Sequence, residues 1–137
     1  MRKLISFTVI LLFASQFAFS QKDYKVVFDL TSGDTLSQQM AIRWVNEIIK
    51  AEPTAELEVV MFGKGLPLAV KDKSAVANDV TSLATNKNVA FKVCAIAMAN
   101  QKIDKGQLLP GVQIVPDGIY EVVSKQREGW GYIKVAH

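Results

Sequence analysis

Cys94 is the one cysteine of the chain and its only side chain with the intrinsic reactivity of a soft nucleophile. It follows the apolar run Val89-Ala-Phe-Lys-Val93 and precedes a loop and short helical stretch from Ala95 to Lys105. This is the pattern of a residue delivered to the carboxyl end of a strand, where parallel sheets place their working groups. Backbone amides and the local dipole at such a point favour the thiolate, which is the attacking form. A lone cysteine is also a small apolar residue, and from position alone packing outranks chemistry. Other chemistries have less to work with. The sole histidine, His137, is the terminal residue, so neither a Ser/His or Cys/His pair nor a zinc site has the ligands it needs. Glu56 and Glu58 stand at the start of an apolar run and read as a solvated pair of carboxylates. Gly63-Lys64-Gly65 lacks the spacing and the Lys-Ser/Thr pair of a phosphate-binding loop and reads as a flexible rim with one cation.

The elements that must position Cys94 alternate between β-branched runs and segments of helical period, which implies βαβ units and a parallel sheet. The spacing predicts strands over Tyr24–Leu30, Leu57–Phe62, Val89–Val93, Gln113–Val115 and Tyr132–Val135. A first helix follows Thr31-Ser-Gly-Asp34, with Thr35 and Gln38 as a capping box and Ala41, Trp44, Val45 and Ile48 as its apolar face. Pro53 stops it. A second helix is expected over Ser74–Asn86, with Val76, Val80, Leu83 and Ala84 inward and Asn78, Asp79 and Ser82 toward water. A short helix closed by Gly106 comes next, then a turn at Leu108–Val112. Asp117 opens the last helix, with Ile119, Val122 and Val123 as its core face. Strands apolar on both sides, joined by short loops, point to a three-layer α/β/α sandwich around a five-stranded parallel sheet.

The amino end predicts export. Arg2 and Lys3 precede the apolar stretch Leu4–Phe19, and Ala18-Phe19-Ser20 supplies small residues where a signal peptidase reads them. Cleavage is expected after Ser20. The run is shorter than the roughly 20 apolar residues of a spanning helix and carries polar interruptions. The position after cleavage is Gln21 rather than a lipid-bearing cysteine, so a periplasmic or secreted protein without a membrane anchor is the expectation. Residues 21–137 then form one domain, large enough for one core and too short for two. Removing Arg2 and Lys3 from a formal charge of +3 leaves +1, with basic and acidic residues interleaved, which is no surface for nucleic acid. One cysteine outside the cytosol cannot make an internal disulfide, so stability rests on the core and the leftover thiol invites an explanation.

Four segments in order resemble the DsrE/DsrF-like family: Val59-Val-Met-Phe-Gly-Lys-Gly-Leu-Pro67, Phe91-Lys-Val-Cys94 with Met98, Leu108-Leu-Pro-Gly-Val112, and Gly118 to Lys134 with its closing Gln126…Gly129-Trp130…Tyr132-Ile-Lys134. The resemblance spans nearly all of residues 21–137. It implies a parallel five-stranded sheet flanked by helices, subunits that associate as homo-oligomers (trimers or hexamers), and in some members a persulfide carried on a cysteine after the third strand, the position of Cys94. Such a carrier passes sulfane sulfur from small sulfur species or a donor to a thiol-bearing protein partner by exchange, with no metal or organic cofactor. Lys64, Gly65, Ala95 and Met98 are the surrounding residues expected to bind the substrate. The well-understood relay members resemble cytoplasmic machinery, whereas this chain carries an export signal, and members without the cysteine exist.

Three readings therefore compete. The first is an exported sulfur relay on Cys94, an activity of sulfur transfer rather than hydrolysis. The second is a non-catalytic oligomeric binding or assembly module with a structural Cys94. The third is a flavin-binding redox protein, resting on the hydroxyl-rich loop Thr31–Ser37 after the first strand. Trp130 and Tyr132 fit either a pocket lining or a subunit interface, and structure is the simpler role for both.

Overall fold

The computed structural model describes residues 23–136. The expected signal segment, its cleavage point after Ser20, and His137 lie outside the described residues. Five parallel strands form one sheet in the order β4-β3-β2-β1-β5: β1 Lys25–Leu30, β2 Glu56–Met61, β3 Val89–Cys94, β4 Gln113–Val115 and β5 Gly131–Val135. The connections are α1 Thr35–Ala51, α2 Ala77–Leu83, α3 Ala95–Asn100 and α4 Gly118–Arg127, with short 3-10 turns at Leu66–Ala69 and Lys105–Gln107. Helices cover both faces of the sheet, so the α/β/α layering and the five-stranded parallel sheet are as the sequence implies.

The two faces differ. Side chains at alternate strand positions share a face, and one set packs as a continuous apolar core: Val26, Phe28 and Leu30 of β1, Leu57, Val59 and Met61 of β2, and Val89, Phe91 and Val93 of β3. Onto it fold Ala41, Ile42 and Val45 of α1, Val80 of α2, and Ala97 and Met98 of α3. A buried polar side chain here is fully engaged: Gln38 donates to the Gly33 carbonyl at 3.1 Å and accepts from the Ala75 amide at 2.8 Å. Among the described residues, the other face is covered by α4 alone. Its apolar cluster is small, with Val27, Val60 and Val122 buried and Phe62 and Trp130 packed against them.

Several local expectations change for reasons the fold makes plain. The α1 cap is Asp34, not Thr35: its carboxylate accepts from the Ser37 amide at 2.8 Å, which takes the position a Thr35 hydroxyl would have filled. Helix α2 is shorter than expected, because Ser74–Val76 turn on Val70 and Gln38 instead of on helical carbonyls. The core face assigned to α4 is also different. Val122 is buried, but Ile119 and Val123 are 61% and 47% exposed, because the sheet face beneath α4 is not apolar throughout. It carries Asp29, Glu58 and Lys92, and Glu58, expected to be solvated, is among the most buried polar side chains of the protein. The turn of α4 that faces these groups presents Glu121 and Lys125, so Ile119 and Val123 are left to the outside.

Candidate functional site

The crossovers β1–α1–β2, β2–α2–β3 and β3–α3–β4 pass over the apolar face, whereas β4–α4–β5 passes over the other. The chain leaving β3 and the chain leaving its neighbour β4 therefore part to opposite sides, and a crevice opens at their carboxyl ends, the topological switch point of an open α/β sheet. A cleft of about 430 Å³ occupies this point. Its lining comes from the segment just after β2 (Phe62, Gly63), from Cys94, from α3 and its C-cap (Ile96, Ala97, Asn100, Gln101) and from the start of α4 (Asp117, Ile119).

Cys94 is the last residue of β3, pairs with Val115 of β4, and is the residue from which α3 starts, its own backbone still extended (φ −75°, ψ 120°). It lines the cleft while only 5% exposed. The reason is Gly118 at the start of α4. A Cβ there would lie 2.9 Å from the Phe62 Cβ and 3.2 Å from the Cys94 Cβ, so only glycine lets α4 come down onto the thiol. Asp117 fixes that helix end by accepting from the amides of Ile119 and Tyr120 at 2.9 and 3.4 Å. On the opposite wall, Gln101 donates to the Gly63 carbonyl and ties α3 to the loop after β2.

The residues expected to surround Cys94 are only partly gathered there. Ala95 is the adjoining first residue of α3 but does not line the cleft. Met98 is turned into the apolar core at 6% exposure. Lys64 is exposed on the loop, outside the cleft lining. Gly65 lies against the end of β1, where a Cβ would be 2.0 Å from the Leu30 carbonyl oxygen, so its smallness serves backbone packing. The residues that do share the cleft with Cys94, notably Phe62, Asn100, Gln101 and Asp117, had no motif to mark them. Gly63 and the Pro116-Asp-Gly118 helix start were visible as turn signals, but nothing local says that they share a cleft.

A second polar group stands at the carboxyl ends of β1 and β5. Asp29 accepts from the Tyr132 hydroxyl at 2.7 Å and from Lys134 Nζ at 2.8 Å, and Lys134 also reaches the Thr31 hydroxyl at 2.6 Å. The hydrogen bond to Asp29, with burial behind it, pushes the Tyr132 phenol up to about 12. Lys134 Nζ lies 5.9 Å from the centre of the Phe62 ring, whose residue lines the cleft. Trp130 stacks beneath two cations, Lys125 at 4.8 Å and Lys25 at 5.9 Å, and so anchors α4 to the sheet. In the loop before α1, Asp34 collects the Ser32 hydroxyl, the Ser37 hydroxyl and the Ser37 amide, which occupies donors that an anionic ligand would use. Among the described residues no three His, Cys, Asp or Glu side chains group as metal ligands, and no helix is long and apolar enough to cross a membrane.

The sequence model of the DsrE/DsrF-like family matches residues 25–135, from the first residue of β1 to the last of β5. The chain belongs to this family. Solved structures agree with its fold. A protein of unknown function from Methanobacterium thermoautotrophicum, MTH1491, is 30% identical, covers 82% of this chain and 99% of its own, and superposes with a TM-score of 0.77. The ychN protein from E. coli (14% identity, 82% and 98% coverage, TM-score 0.67) and a conserved protein of unknown function, BT1422, from Bacteroides thetaiotaomicron (13% identity, 86% and 99% coverage, TM-score 0.66) share the fold. No curated protein matches the sequence. For this DsrE-like chain the cleft at Cys94 is thus built from segments of the family domain itself.

Proposed function

We propose that this DsrE-like protein is an exported, homo-oligomeric carrier of sulfane sulfur, held as a persulfide on Cys94. The observation that carries the reading is the coincidence of the lone thiol with the cleft at the topological switch point. In the loading step the Cys94 thiolate attacks the outer sulfur of a donor persulfide, the new sulfur–sulfur bond forms as the donor's bond breaks, and the donor leaves as a thiolate. A second thiolate, on an acceptor protein, then takes the outer sulfur and Cys94 departs as thiolate. Each step exchanges one sulfur–sulfur bond for another, so neither needs an external oxidant, a metal or an organic cofactor. The apolar lining contributed by Phe62, Ile96, Ala97 and Ile119 suits a soft, weakly hydrated sulfur species, and Asn100 supplies an amide donor.

Exposed apolar side chains support the oligomer. Ile114, Ile119, Tyr120 and Val123 stand on β4 and α4 at 39–69% exposure, and Ile96 is half exposed on the facing wall of the cleft. A patch of this kind beside a site fits a subunit contact that would finish closing it. Export, whether to the periplasm or the medium, follows from the signal-like residues 1–20.

Intact mass spectrometry on residues 21–137, with and without polysulfide and beside Cys94→Ser, tests the carrier. A reducible gain of sulfur atoms confined to the parent protein is the expected result. A thiol that stays unmodified sinks the carrier and supports a binding module in which Cys94 only packs, the reading its 5% exposure favours.

A further inference from the structure

Beneath the middle of α4 lies a group of charges, one buried and three half-buried, that the sulfur chemistry does not use. Glu58 on β2 is 2% exposed. Its Oε2 is 2.8 Å from Lys92 Nζ on β3 and 3.8 Å from Lys125 Nζ on α4, while Lys92 Nζ also holds Glu121 Oε1 of α4 at 2.7 Å. Lys125 is shared with Glu128 at 3.6 Å. The neighbouring strand β1 presents the apolar Val27 to Glu58, and its own Lys25 pairs with Glu56 at 3.0 Å, away from the cluster. Among the described residues Glu58 Oε1 has no hydrogen-bond partner, an unmet acceptor in a buried carboxylate. A cleft of about 230 Å³, lined by Glu58, Lys92, Lys125, Lys87, Gln113 and Trp130 among others, adjoins the group and gives water a way in.

Burial, with the nearby Glu121 adding to it, lifts the Glu58 carboxyl to about 7 against the pull of Lys92. Burial acts on Glu121 in the same sense, but the hydrogen bond from Lys92, helped by a protonated Glu58 beside it, outweighs it and holds that carboxyl below its ordinary range. The pair therefore shares one proton near neutrality, with Glu58 the group that gains or loses it. Once Glu58 ionises, two carboxylates compete for Lys92, with Lys125 farther off at 3.8 Å, and the orphaned oxygen draws solvent.

The helix on top is poorly anchored by apolar contact, since Gly118 and Val122 are its only buried residues. Glu121 sits one turn from Asp117 and Gly118, which form the roof over Cys94. We propose that the Glu58–Lys92–Glu121–Lys125 cluster is a pH-responsive seat for α4 that governs access to Cys94: with Glu58 neutral the helix rests on the sheet and covers the thiol, and with Glu58 ionised it lifts and opens the cleft. The device acts on access to the thiol and holds whether Cys94 carries sulfur or only packs.

Trp44 and Trp130 are the two tryptophans of the chain, so Trp44→Phe leaves Trp130, which stacks on Lys125, as a reporter of the seat. Two readings between roughly pH 5 and pH 9 test the switch. In the Trp44→Phe protein, Trp130 emission should pass through one transition near neutral pH, and Glu58→Gln should abolish it. The rate at which an uncharged alkylating agent modifies Cys94 is read as a ratio, parent over Glu58→Gln at each pH, so that the thiol's own titration cancels. That ratio should be near one at the acid end and rise about threefold or more at the alkaline end. A flat ratio, or a Trp130 transition that survives Glu58→Gln, overturns the switch. If Glu58→Gln does not fold, Glu121→Gln replaces it: removing the neighbouring carboxylate should move the Trp130 transition to lower pH, and an unmoved transition overturns the proposal equally.

Discussion

The two faces of the sheet are built from the same five strands and obey different physics. On the face under α1, α2 and α3, apolar side chains of neighbouring strands merge into one cluster, and a buried polar residue, Gln38, has a partner at each end of its amide. On the face under α4, cross-strand neighbours are charged: Asp29 with Lys134 in register between β1 and β5, Glu58 diagonal to Lys92 between β2 and β3. Burial of apolar area contributes roughly 25 cal/mol per Å², whereas a buried ion pair returns little beyond its desolvation cost. The first face therefore holds the domain together, and the second holds a helix loosely enough to respond. Cys94 lies where they meet, its backbone ending a core strand and its thiol under the end of the responsive helix.

The contrast is sharpest in truncation. Phe91→Ala removes a fully buried ring from the first face and should cost about 3–5 kcal/mol in urea denaturation, while Val122→Ala on the second should cost about 1 kcal/mol. Equal losses would erase the distinction. Gly118→Val comes next: its side chain must push α4 off Phe62 and Cys94, lowering stability by about 1–3 kcal/mol and speeding Cys94 alkylation, read by Tm and by mass. A smaller effect is expected from pH. Glu58 is raised from 4.5 to about 7 in the folded protein, so between those values the native state binds more protons than the unfolded chain. Its contribution is present in full below the unfolded value and is lost as pH rises through the folded one. The parent should thus lose on the order of 1–2 kcal/mol relative to Glu58→Gln between pH 5 and pH 8, screening at the edge of the cluster discounted. Smallest is Asp29→Asn, about 1 kcal/mol, because Lys134 is half in water; a spectrophotometric titration should show the Tyr132 phenol falling below about 12 once the carboxylate is gone.

Much of the first face was legible because its signal is periodic. Ala41, Val45, Val80, Val59 and Phe91 fall on helical or alternating stripes, and each is buried where that period puts it. Cys94 was legible as a strand end, since the residues before it favour a strand and Ala95 to Ala99 do not. The second face was not. Glu58 in a strand looks the same whether its neighbour across the sheet is water or Lys92, and Ile119 with Val123 makes an apolar stripe on α4 whose partner lies elsewhere. The Asp34 cap was missed for a local reason, the competition of two adjacent side chains for one amide.

Strands, helices and their order, the apolar core, and the delivery of one thiol to a strand end were all written into the sequence, because each depends on residues within a turn or two of one another. It took the folded chain to establish that β5 returns to the far side of β1, that α4 crosses the second face, and that Asp117 and Gly118 close over Cys94. Those facts depend on strand order and register, which pair residues as distant in sequence as Asp29 and Lys134, and no local period encodes such a pairing.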